Sequence, residues 1–139
     1  MHGLTPRNIV ITHGGDEGLR LAMTTFVDPG EHCLFEDPTY SLYSVLAGIQ
    51  DAKSLSIELN DDWSLPEDFA DRAIKSESKL TFIVNPHAPS GRFLTAEALS
   101  AIADSTPGVL LIDEAYFDFV DTKLKYETSE IVKNHKNVL

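Results

Sequence analysis

The chain has 139 residues, 42% of them hydrophobic and 24% charged, and its 22 acidic against 11 basic side chains give a formal net charge of −11. That length supports one domain, residues 1–139, with a core of its own, and the composition excludes a disordered tail or a fibre. No apolar run approaches the roughly 18 residues of a membrane span, and an acidic chain without a basic patch is a poor phosphate-backbone binder, so neither membrane nor nucleic acid is an expected partner.

The acids Asp16, Glu36, Asp61, Glu97, Asp118 and Glu130 are spread along the chain and read as a solvated surface. A lone Cys33 excludes an internal disulfide framework and a Cys-rich metal site; in its apolar run it reads as a buried small hydrophobe. The opening MHGLTPRNIV lacks a basic start, an apolar stretch and a cleavage site, so no signal peptide is expected. A reducing compartment, most simply the cytoplasm, fits these features.

The elements alternate. The β-branched run Asn8 to Thr12 predicts a strand ending at His13-Gly14-Gly15. Asp16 to Val27 has helical spacing through Leu19, Leu21, Ala22, Met23 and Phe26, and Asp28-Pro29-Gly30 stops it. His32 to Phe35 predicts a second strand, and Tyr40 to Ile49 a helix with Leu42, Val45, Leu46 and Ile49 on one face. Ser54 to Leu59 predicts a third strand, with a turn at Asn60-Asp61-Asp62 anchored by Trp63. Ser64 and Glu67 have capping-box spacing around Pro66 and open a helix that runs to about Ser76. Leu80 to Val84 is an apolar strand, Thr95 caps a helix reaching Ala103, and Val109 to Ile112 is another buried strand. A weak helix around Ser129 to Lys133 and the start of a strand at Asn137-Val138-Leu139 complete the series. Near-continuous apolar strands between amphipathic helices predict an α/β fold, a three-layer αβα sandwich with a mostly parallel sheet.

Ligands collect at the carboxyl ends of strands in such sheets, so the residues after each strand are the candidates. Gly14-Gly15-Asp16 opens a helix, where backbone N–H groups favour an anion; the same residues also suit a plain tight turn. Tyr40 and Tyr116 follow strand ends, and each is a stacking face or an ordinary core tyrosine. Asn85, held extended by Pro86, has an amide that can donate to a ligand or close a turn. Asp113 ends an apolar strand, where a carboxylate calls for a cationic or proton-donating partner. Val-Leu-Leu-Ile-Asp-Glu suggests the Mg²⁺-holding strand of a P-loop ATPase, but no Gly-Lys-Ser/Thr accompanies it. His13 and His87 lie in two of the loops with no second His or Cys at metal-ligand spacing, so no metal site is expected.

In order, Gly14-Gly15-Asp16-Glu17, Phe26-Val27-Asp28-Pro29-Gly30, Asp37-Pro38-Thr39-Tyr40-Ser41-Leu42-Tyr43, Asn85-Pro86-His87-Ala88-Pro89-Ser90-Gly91 and Asp113-Glu114-Ala115-Tyr116 resemble the large domain of fold-type I, pyridoxal 5'-phosphate (PLP)-dependent aminotransferases of class I/II. The likeness is greatest to the histidinol-phosphate aminotransferase branch. It implies that the N–H groups of Gly15 and Asp16 hold the cofactor phosphate and that Tyr40 stacks on the pyridine ring. It further implies that Asn85 and Tyr116 hydrogen-bond the ring's phenolic oxygen and that Asp113 pairs with the pyridinium nitrogen. The implied substrates are an amino acid or amino phosphate and a 2-oxo acid, and the implied assembly is a homodimer or other homo-oligomer.

Three departures stand out. The family's Asn-Pro-Asn-x-Pro-Thr-Gly is here Asn-Pro-His87-Ala88-Pro-Ser90-Gly, and Gly15 stands where Ser or Ala is common. The Schiff-base lysine follows the next strand in a Ser-Lys context, and none of this chain's lysines has that context. The segment alone is therefore expected to lack a catalytic residue, to bind PLP weakly or not at all, and to be inactive. The alternative is a non-catalytic αβα module for binding or assembly.

Overall fold

A computed structural model describes residues 4–139; the Met1-His2 start of the leader reading lies outside them. The sheet grows from the apolar run Leu80–Val84 (β3), every residue of which is buried. β3 pairs in parallel with His32–Asp37 (β1) on one side and Val109–Asp113 (β4) on the other. Lys53–Glu58 (β2) adds in parallel to β1 at the far edge, giving the order β2-β1-β3-β4. Asn137 to Leu139 begins to extend the ladder beyond β4, with a parallel bridge between Leu110 and Val138. The backbone of Gly108 runs so close to the Lys79 carbonyl that a Cβ there would collide with it.

Strand alternation divides the core in two. Cys33, Phe35, Leu80, Phe82 and Val84 point to one face. There they meet Leu19 and Met23 of Gly15–Phe26 (α1) and Tyr43, Leu46 and Ala47 of Leu42–Ile49 (α2). Leu34, Ile83 and Leu110 point to the other. Phe69–Ser76 (α3), Ala96–Ser105 (α4) and Thr128–Asn134 (α5) cover that side through Ala73, Leu99, Ile102 and Ile131. The result is the expected three-layer αβα sandwich, and Cys33 is buried as expected, its thiol pushed up by burial.

Three local expectations fail for identifiable reasons. The run at Asn8 to Thr12 is not a strand: Pro6–Asn8 is a 3-10 turn, the next residues lack regular structure, and Ile11 is 93% exposed. No described strand lies beside it, and an extended segment without a ladder leaves its backbone to water. The Ser64/Glu67 capping box does not form, because the Ser64 hydroxyl donates to Asp62 and accepts from Asn60 within the preceding turn. α3 starts at Phe69 instead. The buried face of α2 is Tyr43, Leu46 and Ala47, while Val45 and Ile49 face solvent. By contrast, Thr95 caps α4 as predicted, accepting from the Ala98 N–H at 3.3 Å.

Candidate functional site

The chain leaves β1 toward β2 in one direction along the sheet and reaches β4 from β3 in the other. The carboxyl ends of β1 and β3 therefore flank a topological switch point, the place where an open α/β sheet forms a crevice. The loops after β1, β3 and β4 and the start of α1 carry the residues singled out from the sequence.

Gly14, at φ +92°, turns the chain into α1, and no side chain caps that helix. Its first-turn N–H groups, those of Gly15 and Asp16 among them, have no intrahelical partner. The Asp16 carboxylate accepts from the Tyr40 hydroxyl at 3.3 Å, which joins the start of α1 to the loop after β1. Tyr40 keeps 41% of its surface exposed and meets Tyr43 edge-on, centroids 5.8 Å apart at 90°. The negative charge of Asp16, followed by desolvation and the hydrogen bond to Asp16, holds the Tyr40 phenol above its usual range.

Asp113 closes β4 half-buried. Its Oδ2 accepts from the Tyr43 hydroxyl at 2.9 Å and its Oδ1 from the Ala115 N–H at 3.1 Å. Tyr116 stands three residues on, exposed, with its ring tilted against Phe119. Hydrogen bonds and a ring contact thus link Asp16, Tyr40, Tyr43 and Asp113 along one rim, with Gly15 beside Asp16 and Tyr116 three residues beyond Asp113.

Asn85 is adjacent in backbone, its N–H donating to the Asp113 carbonyl, but its side chain points elsewhere. It is 0% exposed. Its Oδ1 accepts from the Leu94 N–H at 2.7 Å, and its Nδ2 donates to the Leu94 carbonyl at 3.1 Å and the Tyr126 hydroxyl at 2.9 Å. Tyr126 in turn donates to Glu114 at 2.7 Å. Both amide hydrogens of Asn85 therefore have protein acceptors, and the side chain stitches the loop after β3 to the segments around Leu94 and Tyr126.

The two histidines prove to be local ties. His13 is exposed and pairs with Glu17 through both ring and backbone, which lowers the Glu17 carboxyl. His87 is buried, with Nε2 2.8 Å from the Pro38 carbonyl and Nδ1 2.8 Å from the Ser90 hydroxyl. A carbonyl only accepts, so Nε2 carries the hydrogen, and in the neutral ring Nδ1 accepts from Ser90. His87 and Ser90, two departures from the family pattern, thus satisfy one another and bind the loop after β3 to the loop after β1. Trp63 packs its ring against His87 at 5.8 Å. Among the described residues no cluster of three His, Cys, Asp or Glu side chains is arranged to hold a metal.

Glu36 overturns its assignment to the solvated surface: it is 2% exposed. Oε1 accepts from the Val84 N–H at 2.9 Å, while Oε2 has no hydrogen-bond partner among the described residues. Burial pushes its carboxyl up to about 7, against the Val84 donor, and the Asp113 charge adds to the rise. The signal was present: Glu36 continues the apolar run Cys33-Leu34-Phe35 without a break, in a strand buried on both faces. Tyr43 and Tyr126 also carried no assigned role. For Tyr43 the cue is its position one helical turn after Tyr40; for Tyr126 no local pattern marks it.

The family model described as aminotransferase class I and II matches residues 2–139. Histidinol-phosphate aminotransferase from Geotalea uraniireducens is 35% identical over 140 residues, covering 100% of this chain and 38% of its own. That from Caldanaerobacter subterraneus is 35% identical over 117 residues, 84% of this chain and 33% of its own. Among solved structures, histidinol-phosphate aminotransferase from Sinorhizobium meliloti in complex with pyridoxal-5'-phosphate gives a TM-score of 0.87 at 24% identity, over 99% of this chain and 38% of its own. A putative histidinol-phosphate aminotransferase from Erwinia carotovora gives 0.86 at 23%, over 99% and 41%. At such identities the structural likeness speaks for the fold. The chain spans 33% and 38% of the length of the two curated relatives named, so it corresponds to a segment of each. The match of the family model over almost the whole length shows that the chain belongs to the class I and II aminotransferases.

Proposed function

We propose that residues 1–139 form one domain segment that cradles PLP in the large domain of an aminotransferase. The reaction is amino transfer between an amino acid or histidinol phosphate and a 2-oxo acid. The observation that carries this reading is the convergence of an uncapped helix start, an exposed tyrosine ring and a half-buried carboxylate at the switch point of a parallel sheet. Each feature suits one part of the cofactor. The N–H groups of Gly15 and Asp16 take the phosphate, and the helix dipole favours its charge. The Tyr40 ring covers the pyridine face. Each oxygen of Asp113 has one donor and a free lone pair, so the carboxylate can accept from a protonated ring nitrogen and raise its basicity. The Tyr116 hydroxyl serves the phenolic oxygen. Asn85 reaches that oxygen only by releasing Leu94 or Tyr126, so its main work is to hold the loop.

PLP supplies an electron sink, which a protonated ring nitrogen deepens. This segment contributes binding and orientation, and none of its residues is assigned a catalytic role. The proposed setting is a cytoplasmic homodimer or other homo-oligomer, supported by the exposed apolar side chains Ile49, Phe119 and Leu124.

Equilibrium dialysis of the chain against PLP tests the reading. The expected result is saturable, phosphate-dependent binding that Asp113→Ala weakens, with no borohydride-trapped adduct on a single lysine. Absence of saturable binding, with a stable oligomer, supports the non-catalytic module instead.

A further inference from the structure

We propose that Tyr43 is a positioning residue for Asp113, fixing the plane of that carboxylate so that its free lone pairs face the cofactor's ring nitrogen. The inference rests on the cofactor reading above. Tyr43 is wholly buried and lies flat on Phe82, centroids 4.6 Å apart at 12°, with Phe35 beside it. A phenylalanine would serve that packing equally well. The hydroxyl is the part that packing does not explain, and a buried phenol needs an acceptor. Its acceptor is Asp113 Oδ2, 70 positions away in sequence, at 2.9 Å.

The geometry at the carboxylate is specific. Tyr43 from α2 holds Oδ2, and the Ala115 N–H from the loop after β4 holds Oδ1 at 3.1 Å. One donor at each oxygen, from two different elements, fixes both rotation and tilt of the group. A carboxylate offers about four acceptor sites, so capacity remains for a ligand. Burial and the neighbouring Asp113 charge hold the Tyr43 phenol far above its usual range, so it stays a donor.

The same stretch of chain also places Tyr40. Three residues before Tyr43, Tyr40 stands at a right angle to the Tyr43 ring and keeps 41% of its surface exposed. The entry into α2 thus sets both the cover of the ring plane and the orientation of the group meeting its nitrogen. The buried ring of Tyr43 is the post on which both rest.

Pyridoxamine 5'-phosphate is the probe, because it lacks the aldehyde and binds without a lysine adduct. Its affinity is measured for the unaltered chain, Tyr43→Phe, Asp113→Asn and the double variant, alongside an analogue in which carbon replaces the ring nitrogen. If the unaltered chain does not bind the probe saturably, the cofactor reading fails, and this inference with it. If it binds, Tyr43→Phe is expected to weaken the probe about tenfold, the scale of one hydrogen bond to a charged group. It should leave the carbon analogue unchanged and add nothing to Asp113→Asn. Equal loss for both ligands, additive loss in the double variant, or no loss would overturn the positioning role while leaving the cofactor reading intact. A second measurement needs no Tyr43 variant. The buried Tyr43 hydroxyl proton, followed by NMR in the unaltered chain, should shift with the probe and stay in place with the carbon analogue. The same response to both would also overturn the proposal.

Discussion

The carboxyl ends of β1 and β4 carry the same chemical group and treat it in opposite ways. At β4, Asp113 is half-buried and has a donor on each oxygen. At β1, Glu36 is buried, with a donor on Oε1 and nothing on Oε2. A strand-end position alone does not make a carboxylate a ligand group. Access and a fixed orientation do, and Asp113 has both. Glu36 lacks the access, and what it contributes instead is a dependence of stability on pH.

Asn85 at the end of β3, between the two, gives the largest expected effect. Asn85→Ala removes three hydrogen bonds and strips the Leu94 N–H and carbonyl of their partner. The loss of stability should be about 3 kcal/mol, since unpaired polar groups cost more than the net worth of the bonds they made. Urea unfolding measures it. A loss below that of Tyr43→Phe would show that the carboxamide is not the anchor of this loop.

Glu36 comes next. Burial pushes its folded carboxyl from the ordinary 4.5 up to about 7, so the folded state binds the proton more tightly than the unfolded chain. Its contribution is therefore fully present below pH 4.5 and is lost as pH rises through about 7. The loss across that window is on the order of 3 kcal/mol. Glu36→Gln keeps an acceptor for the Val84 N–H and removes the charge. The variant should gain on the unaltered chain as pH rises from 4.5 to 8, and thermal unfolding at the two ends of that range reads the difference. Parallel pH profiles for the two proteins would mean that Oε2 is not orphaned in solution.

Tyr43→Phe is the smaller counterpart at β4. One buried hydrogen bond to a carboxylate disappears while the packing on Phe82 stays, so stability should fall by about 1.5 kcal/mol. Its pH dependence should match that of the unaltered chain between pH 6 and 8, unlike Glu36→Gln. Urea unfolding at both pH values separates the two variants.

Most of the fold was legible because β3, β4 and the helices opposite them obey local pattern and burial together. Leu80–Val84 is apolar throughout and becomes the central strand, and Thr95 caps α4 with its own side chain. The site was legible as a set of strand-end residues. Its internal wiring was not, because Tyr43 and Asp113, or Asn85 and Tyr126, meet across 70 and 41 positions through side chains that local pattern does not pair. Glu36 was misread from its residue type, whereas its neighbours Leu34 and Phe35 mark a strand buried on both faces.

The run at Ile9 to Thr12 shows the complementary failure, and it yields the smallest expected effect. Its β-branched residues match those of Leu80–Val84 in propensity, yet Ile11 is 93% exposed. β-propensity expresses fit to a pleated, half-buried surface, so a run without a neighbouring strand gains nothing from it. Ile11→Thr removes an apolar side chain that is 93% exposed. The change in unfolding free energy should stay within about 0.5 kcal/mol, as for other surface substitutions. Val84→Thr puts a comparable hydroxyl into the buried end of β3 and should cost several times more. A large loss from Ile11→Thr in urea unfolding would mean that this run is covered in solution, by a second copy or by a ladder it completes there.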